Sequence, residues 1–539
     1  MMEYNVQHYY LYDEMMDLLQ DWVQAYPERM QLSSIGHSYQ GRDIPLVKLT
    51  LGDGQKPAVL LSGNLHSAEI IGSCAVLYAI HKLLTEGQSD PELRTLLQDR
   101  IIYCIPRINV DGAEANLTTY QFVRGSMLPF HQEEDGVVPA DLDGDGVARK
   151  MRVPNPEGEW YASKLDSRVM MRVWPGMPRP EGVTFYDMVD EGFVRGPEKT
   201  LIKQARCPYD IDPNRSFPYD WDKKTIGITL RPSAGDYPLM DCETRALARF
   251  VLAHPEITMV IDMHSYMGGY ISPMEFCQDH DFDARDKSIF DMLGAKGTAI
   301  SGYISSGIFP PEIKGAARGS FTTWLYYVLG IPAWCHEIGH PGKLYGGVDA
   351  AHPITVINDL MSEEEFIAYQ QKLFQWDQEQ NDGRGFMDWH PFQHPTLGEV
   401  ELGGWDEKFV LWNLPGQYVE AECRDAFQFN LLNFRSAACL KLHGLSTADG
   451  AICAEIENAG LFPSVKSHKA TALGAGDTGM ITLSGVRNGQ ETILRREKLP
   501  VLEGGETFCW KADLPEERWD NYRVTVEGSS AGVQTMEVK

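Results

Sequence analysis

The chain has 539 residues, a length that suggests roughly two to four domains. Its 76 acidic residues outnumber 48 basic ones and give a net charge of −28, which argues against a nucleic-acid partner because phosphate binding needs a basic surface. No run approaches the ~20 apolar residues of a membrane span, so we expect no membrane partner either.

The N-terminus and the cysteines predict a cytoplasmic protein. The opening segment MMEYNVQHYYLYDEMMDLLQ lacks a basic leader followed by an apolar core. The ten cysteines are scattered without a CxxC pair, as is typical of reduced and buried thiols. A secreted mature form without its leader is the alternative.

Apolar spacing predicts an α/β domain over residues 1–381. A strand, helix, strand order is typical of a mostly parallel sheet with helices on its faces. Residues 113–207 are rich in proline, glycine and charge, and we interpret them as a long insertion outside the core. The predicted helices and strands are Tyr12–Tyr26, Met30–Ile35, Ile44–Leu51, the apolar run from Ala58, Ile70–Leu84, Ile101–Ile105, Asp241–Ala253, Ile257–Met263, Phe321–Leu329, Ile331–His336 and Glu363–Gln378.

The C-terminal part differs in character. Residues 382–435 read as a connecting segment, and short alternating runs such as AICAEIENAG and NYRVTVEG predict a β-sandwich over residues 436–539. We expect this sandwich to act in structural packing, with partner binding or oligomerisation as the alternatives. The sequence does not indicate the oligomeric state.

Three polar side chains at predicted strand ends suggest a metal site. His66 and Glu69 fall on the turn after the apolar run from Ala58, and His264 ends the apolar strand VIDMH at the same edge of the sheet. A catalytic zinc takes three such ligands and keeps one open position. The alternatives are a helix-start carboxylate beside an ordinary histidine, and a hydrogen-bonded core histidine.

Two further strand-end signals support a catalytic site. Glu337 follows an apolar strand and could take a proton from a metal-activated water. His336 and His340 compete for a metal role, but His336 points away from Glu337 on an extended segment, so we interpret it as structural.

The loop segment DPNRSF suits the binding of a substrate carboxylate. The guanidinium of Arg215, beside Asn214, can hold a carboxylate through two hydrogen bonds, with a surface salt bridge as the alternative. Asp212 could bind the far nitrogen of His66.

Taken together, five ordered motifs resemble the zinc carboxypeptidases, the M14 metallopeptidase family. The segments GHSYQGRDIPLVKL and ETRALARF look like further family features, and the resemblance covers about residues 4–378. The five motifs are His66-Ser-Ala-Glu69, Asn109-Val-Asp-Gly112, Asp212-Pro-Asn-Arg215, His264-Ser-Tyr266 and Glu337.

The resemblance implies a mixed, mainly eight-stranded sheet flanked by helices and a single catalytic Zn2+. It implies that His66, Glu69 and His264 bind zinc and that Glu337 is the general base and acid. It further implies that Asn214, Arg215 and Tyr266 bind substrate and that Asp212 supports His66. The implied substrate is a peptide or amino-acid amide with a free carboxylate.

The insertion departs from the family pattern. The family has an oxyanion-stabilising arginine after the NxDG segment, for which we favour Arg152 and then Arg149. Asp141, Asp143 and Asp145 resemble the start of a calcium loop, but Arg152 stands at the twelfth position, where an EF-hand has a bidentate Glu. Structural Ca2+ at residues 141–147 is one reading, and an acidic turn that orients the arginines is the other.

The segment between Tyr303 and Trp324 contains no match to the family's substrate-capping tyrosine. Phe321 is either a specificity-pocket residue or part of the core. The leading hypothesis is a zinc metallocarboxypeptidase that hydrolyses the C-terminal peptide bond of a peptide. Peptidoglycan peptides and N-acyl amino acids are alternative substrates, and a non-catalytic zinc-binding module is the alternative from another class.

Overall fold

The computed structural model describes residues 3–538 except 174–175, 198–201, 227–231, 277–281, 306–317, 346–361, 449, 477, 518 and 529. Its strands in chain order are β1 (Met30–His37), β2 (Asp43–Leu49), β3 (Ala58–Gly63), β4 (Ile101–Ile105), β5 (Gly136–Pro139), β6 (Lys150–Pro154), β7 (Trp160–Ala162), β8 (Met170–Arg172), β9 (Phe185–Asp190), β10 (Gly192–Arg195), β11 (Ile257–Ser265), β12 (Gly269–Ile271), β13 (Ala333–Ile338), β14 (Phe386–His394), β15 (Gly398–Trp405), β16 (Leu440–Ala448), β17 (Ala451–Asn458), β18 (Met480–Arg487), β19 (Gln490–Lys498), β20 (Thr507–Asp513), β21 (Asn521–Gly528) and β22 (Gly532–Val538).

Helices cover the sheets, and short helical turns lie near the strand ends. The α-helices are α1 (Tyr12–Ala25), α2 (Ile70–Thr85), α3 (Pro91–Asp99), α4 (Val110–Thr118), α5 (Cys242–Ala253), α6 (Pro273–Phe276), α7 (Ala284–Ser301), α8 (Phe321–Leu329), α9 (Glu363–Gln380), α10 (Gly416–Ser436) and α11 (His468–Leu473). The other turns are the 3-10 helices Pro213–Arg215 and Pro341–Tyr345 and the π-helix Glu407–Trp412.

The central sheet is mixed, which confirms the predicted fold class, and it has seven strands within the described ranges. Its order is β1-β2-β4-β3-β11-β13-β12. The middle strands β4, β3, β11 and β13 are parallel, whereas β1, β2 and β12 pair antiparallel. Parallel strands end at the same edge of a sheet, so the residues that follow β3, β11 and β13 lie close together.

Successive side chains of β3 point to opposite faces of the central sheet, so this strand contributes to the apolar core on both faces. Val59 and Leu61 pack with helices α1, α2, α7 and α10 on one face, while Leu60 packs with α5 and α8 on the other. Helix α10 lies almost entirely in residues 382–435, which the sequence predicted to be a connecting segment. Its Phe429 and Phe434 are fully buried, so that segment contributes directly to the core of the α/β domain.

The insertion is more regular than its composition suggests. Its strands β6, β9, β7 and β8 join β14 and β15, from the connecting segment, in a six-stranded antiparallel sheet of order β14-β15-β6-β9-β7-β8. Short strands rich in charge and glycine carry a weak period-2 signal, which explains why the sequence pattern did not reveal this sheet.

The C-terminal strands form a three-stranded sheet (β16-β17-β20) and a four-stranded sheet (β19-β18-β21-β22) around a shared apolar core. This arrangement fits the predicted sandwich. The guanidinium of Arg100 donates hydrogen bonds to the carbonyls of Ala437 and Ala438 at 2.7 and 3.0 Å and connects the sandwich to the α/β part. The predicted domain boundaries stay predictions. None of the described helices combines the length and apolar character that crossing a bilayer requires.

A close contact between the backbones at Gly72 and Met263 sets the distance between α2 and the central sheet. A Cβ at Gly72 would lie 2.8 Å from the carbonyl oxygen of Met263. We expect Gly72→Ala to lower the free energy of unfolding by about 1–3 kcal/mol, because the backbones must separate. Thermal unfolding measures this, with the neighbouring Ser73→Ala as control.

The control should unfold at the wild-type temperature or higher, because the buried Ser73 hydroxyl has no hydrogen-bond partner among the described residues. A Gly72→Ala variant as stable as the wild type would contradict the close packing.

Candidate metal centre

His66, Glu69 and His264 meet at the carboxyl edge of the central sheet. His66 Nδ1 lies 2.8 Å from Glu69 Oε1, His264 Nδ1 lies 2.8 Å from Glu69 Oε2, and the two Nδ1 atoms are 3.1 Å apart. All three side chains are buried. Three ligand atoms therefore converge on one point, as the sequence predicted.

Two buried carboxylates hold the other nitrogen of each imidazole. Asp212 Oδ1 lies 3.0 Å from His66 Nε2, and Asp262 Oδ2 lies 2.8 Å from His264 Nε2. Ser62 donates a hydrogen bond of 2.6 Å to the second oxygen of Asp262. Since an ionised carboxylate can only accept, each Nε2 carries a proton, and with a cation bound in place of the Nδ1 proton each Nδ1 would offer a lone pair. This donor set fits a zinc ion.

The electrostatics of the cluster favour charged groups despite burial. Burial alone would raise the pKa of Glu69, but His66 and His264 outweigh it and lower that pKa overall. Burial alone would lower the pKa of His264, yet Cys335, Asp262 and Glu69 raise it well above its usual value. A cation bound here would displace a proton from His264, because a metal ligand must be a neutral imidazole.

Glu337 lies beside His264, since the two residues are in register across β11 and β13. Its Oε2 accepts a 3.3 Å hydrogen bond from the Met267 amide. Burial, and then the negative charge of Glu69, raise the pKa of Glu337 to about 8. A carboxyl group with a raised pKa next to a metal site can exchange protons near neutral pH.

Arg124 is the arginine that the structure brings to this cluster. Its Nη1 donates to Glu69 at 2.9 Å, and its Nε donates to Asp212 at 3.3 Å. Burial alone would lower the pKa of Arg124, but Asp212, Glu69 and Glu337 raise it. The cluster therefore has a permanent cation at its rim.

Arg149 and Arg152 lie elsewhere, which corrects the expectation that one of them faces the metal site. Arg152 lies in β6 and pairs with Glu401 on the neighbouring β15, and its guanidinium stacks 4.6 Å above the Trp389 ring. Arg149 pairs with Asp145 at 2.6 Å. Arg152 therefore stabilises the six-stranded antiparallel sheet, here called the second sheet, and Arg149 stabilises the acidic turn that precedes β6.

Polar contacts that the sequence did not reveal hold the backbone around Arg124. Its carbonyl accepts from the Ser67 amide at 2.9 Å. The Asn109 side chain donates to the Gly125 carbonyl at 2.8 Å, and the Asn116 side chain donates to the Val123 carbonyl at 2.6 Å. The NVDG motif thus supports the loop that carries Arg124. The position of Arg124 shortly after this motif in the sequence was the only signal that could have pointed to it.

The predicted carboxylate-binding residues lie beside the cluster. Asp212, Asn214 and Arg215 share one 3-10 turn, and Asn214 Oδ1 accepts from the Phe321 amide at 2.8 Å. Arg215 donates to the Asn214 carbonyl at 2.9 Å, but its buried Nε has no partner within the described ranges. Burial lowers the pKa of Arg215, and Asp212 offsets part of this effect. Tyr266 follows β11 two residues after His264.

The acidic turn does not support calcium. The carboxylates of Asp141, Asp143 and Asp145 lie close together, but Asp141 accepts from the Gly144 and Gly146 amides at 2.6 and 2.9 Å. The exposed turn instead orients Arg149, which was the other reading.

The remaining candidates have structural surroundings. His336 packs between Tyr270 and Phe429, away from the metal site, and burial lowers its pKa to about 3. His340 accepts from the Gly342 amide at 2.9 Å. Phe321 is fully buried against Phe217, so it belongs to the core. Most of the segment between Tyr303 and Trp324, namely residues 306–317, lies outside the described residues.

Comparisons with known proteins agree with this geometry. Residues 15–348 match the family model described as zinc carboxypeptidase. The zinc carboxypeptidase of Saccharothrix mutabilis subsp. capreolus is 34% identical over 118 residues, which are 21% of this chain and 27% of that protein. The zinc carboxypeptidase of Simulium vittatum is 23% identical over 345 residues, 61% of this chain and 85% of that protein.

The inactive metallocarboxypeptidase ecm14 of Talaromyces stipitatus is 22% identical over 284 residues, 50% of this chain and 35% of that protein. The chain therefore spans less than two thirds of the Saccharothrix and Talaromyces proteins. Because the family match covers more than half of its residues, the chain belongs to the zinc carboxypeptidase family.

Proposed function

We propose that the protein is a zinc-dependent carboxypeptidase that hydrolyses the C-terminal peptide bond of a peptide. The observation that carries this proposal is the convergence of two imidazole Nδ1 atoms, 3.1 Å apart, on the carboxylate of Glu69. His66, Glu69 and His264 would hold zinc, and Asp212 and Asp262 would keep both imidazoles in the binding tautomer.

Glu337 is the proposed base and acid. Zinc, when bound, polarises the scissile carbonyl and lowers the pKa of a water towards ~7. Glu337 accepts the proton of the attacking water on a carboxylate oxygen and then delivers it to the leaving amine. Its buried position in register with His264, next to the proposed zinc ligands, supports this role.

Arg124 and Arg215 are the proposed anion-binding residues. Arg124, at the rim of the cluster, would donate to the oxygen on which negative charge develops. Arg215, with Asn214, would hold the terminal carboxylate of the substrate. The unpartnered Nε of Arg215 supports this assignment, because an anion that accepts a hydrogen bond from this buried nitrogen would satisfy it.

Other functions account for fewer of these features. A non-catalytic zinc-binding module would need only the metal ligands. This alternative is relevant because the Talaromyces relative is named an inactive metallocarboxypeptidase. Such a module does not account for the buried Glu337 beside His264 or for the unpartnered Nε of Arg215, so hydrolysis is the better proposal. Peptidoglycan peptides and N-acyl amino acids remain alternative substrates because both present an amide beside a carboxylate.

The proposal predicts that Arg124, and neither Arg149 nor Arg152, contributes to kcat. We expect Arg124→Ala to lower kcat by about 10²–10³-fold, because an oxyanion donor acts mainly in the transition state. Arg149→Ala and Arg152→Ala are the matched controls and should keep kcat within about twofold, since their partners are Asp145 in the acidic turn and Glu401 in β15. Steady-state hydrolysis of a blocked dipeptide measures this. A large loss in Arg152→Ala with little loss in Arg124→Ala would reverse the assignment.

A second prediction separates catalysis from metal binding. Glu337→Gln should lower turnover by at least about 10²-fold because the amide cannot accept the proton, while bound zinc stays at the wild-type level. Metal analysis and hydrolysis assays test both parts, with the exposed Glu92→Gln as control. Wild-type turnover in Glu337→Gln would rule out Glu337 as the base.

A further inference from the structure

A cavity of about 540 Å³ lies between helix α9 and the second sheet. Each of its described lining residues belongs either to the insertion over residues 113–207 or to the segment beyond the family match, which ends at residue 348. The cavity is therefore built apart from the strands that carry the metal centre. Its volume falls within the range of about 300–1,000 Å³ that is usual for small-molecule sites.

Aromatic rings form much of the lining of this cavity. The indole N–H of Trp389 donates to the Arg168 carbonyl at 2.9 Å, and that of Trp405 donates to the Gln370 side chain at 3.0 Å. Both rings are only half-buried, so they offer ring surface to a ligand while their N–H groups are already bonded. The aromatic lining residues are Trp160, Phe366, Phe374, Phe386, Trp389 and Trp405.

Both cations of the described lining are already paired with carboxylates. Lys150 Nζ lies 2.7 Å from Asp190 Oδ1 and 2.9 Å from Glu407 Oε2, and these three residues are here called the ion triad. Arg168 donates to Asp166 at 2.7 Å. Burial alone would lower the pKa of Lys150, but Asp190 and Glu407 raise it, so the triad stays charged.

These pairings disfavour an ionic ligand. An anion would compete with the carboxylates that already neutralise Lys150 and Arg168. A cation would meet rings that already interact with guanidinium groups, since Arg152 lies 4.6 Å from the Trp389 centroid and Arg168 lies 4.0 Å from the Phe374 centroid. The lining therefore favours a neutral ligand.

The ion triad requires that a neutral ligand also form hydrogen bonds. An ammonium has three donors, of which the two carboxylates use two, so Lys150 can donate once more. Each carboxylate has about four lone-pair sites, so Asp190 and Glu407 can accept further hydrogen bonds. Hydroxyl groups both donate and accept, and they match all three members of the triad.

A sugar ring combines hydroxyl groups with apolar faces. In a pyranose with equatorial substituents, C–H groups point to both faces of the ring. Their partial positive charge suits the negative face of an aromatic ring. Such a ring can therefore pack on the tryptophans and bind the ion triad through its edge.

We infer that this cavity is a binding site for a neutral β-1,4-linked pyranose oligosaccharide. The sugar faces pack on Trp160, Trp389 and Trp405, and the hydroxyl groups form hydrogen bonds with the ion triad. This site goes beyond the proposed function and does not require it, because its residues are not those of the metal centre. It gives the second sheet a role in ligand binding.

Calorimetry of the full-length protein with cellotetraose and with tetra-N-acetylchitotetraose, two neutral β-1,4-linked probes, tests this inference. At least one of them should bind in a saturable titration. Trp389→Ala should weaken that binding by about tenfold, because a stacking surface is lost, and Trp389→Phe should keep part of the affinity. Trp160→Ala should also weaken binding, which covers the case in which loss of Trp389 disturbs the sheet.

The matched control is Trp519→Ala in the C-terminal sandwich. Trp519 is half-buried and has the Arg487 guanidinium 4.6 Å from its ring centroid, the same distance as between Arg152 and Trp389. This variant should bind the sugars within about twofold of the wild-type affinity, because it lies outside the cavity. Thermal unfolding verifies that each variant is folded.

Three results would overturn the inference. The first is that neither sugar binds the wild type. The second is unchanged affinity in both Trp389→Ala and Trp160→Ala, or an equal loss in the control, since the rings of the cavity would then not hold the sugar. The third uses a neutral aromatic peptide with an acetylated N-terminus and a C-terminal amide: binding of this peptide without binding of either sugar would identify a site for protein side chains.

Discussion

The candidate active site depends on two buried hydrogen bonds, from His66 to Asp212 and from His264 to Asp262. They turn both Nδ1 atoms towards Glu69, which leaves three converging ligand atoms. Such carboxylates are costly to bury unless each oxygen is satisfied, and here Ser62 and Arg124 bind the second oxygens. The hydrogen-bond network therefore orients the proposed metal ligands in the metal-free protein.

The remaining architecture brings distant segments to this point. The parallel strands β3, β11 and β13 deliver the ligands and Glu337 at one edge. The second sheet joins the insertion to the segment beyond the family match, because β6 pairs with β15. The insertion supplies Arg124, and the later segment supplies Asn413, whose side chain binds the backbone on either side of Glu69. The Arg152–Glu401 pair belongs to this connection between the two segments.

Strand ends were predictable from sequence, whereas long-range polar contacts were not. His66, Glu69, His264 and Glu337 follow apolar runs, so a parallel sheet had to bring them together. Asp262 was detectable in principle, as a charged residue two positions before His264 on the same face of a buried strand. Arg124 had no local pattern, because contacts from separate segments hold its loop. The second sheet was not predicted because the insertion is rich in proline, glycine and charge. Helix α10 was not predicted because its segment lacks clear apolar spacing.

The most direct test compares a blocked dipeptide with its C-terminal amide, on zinc-loaded and metal-stripped protein. The account predicts that only the zinc-loaded protein releases the terminal residue and that the amide reacts at least about a hundredfold more slowly, because Arg215 has no carboxylate to bind. Equal rates on both substrates, or release that persists after the metal is removed, would contradict a zinc carboxypeptidase mechanism at this site.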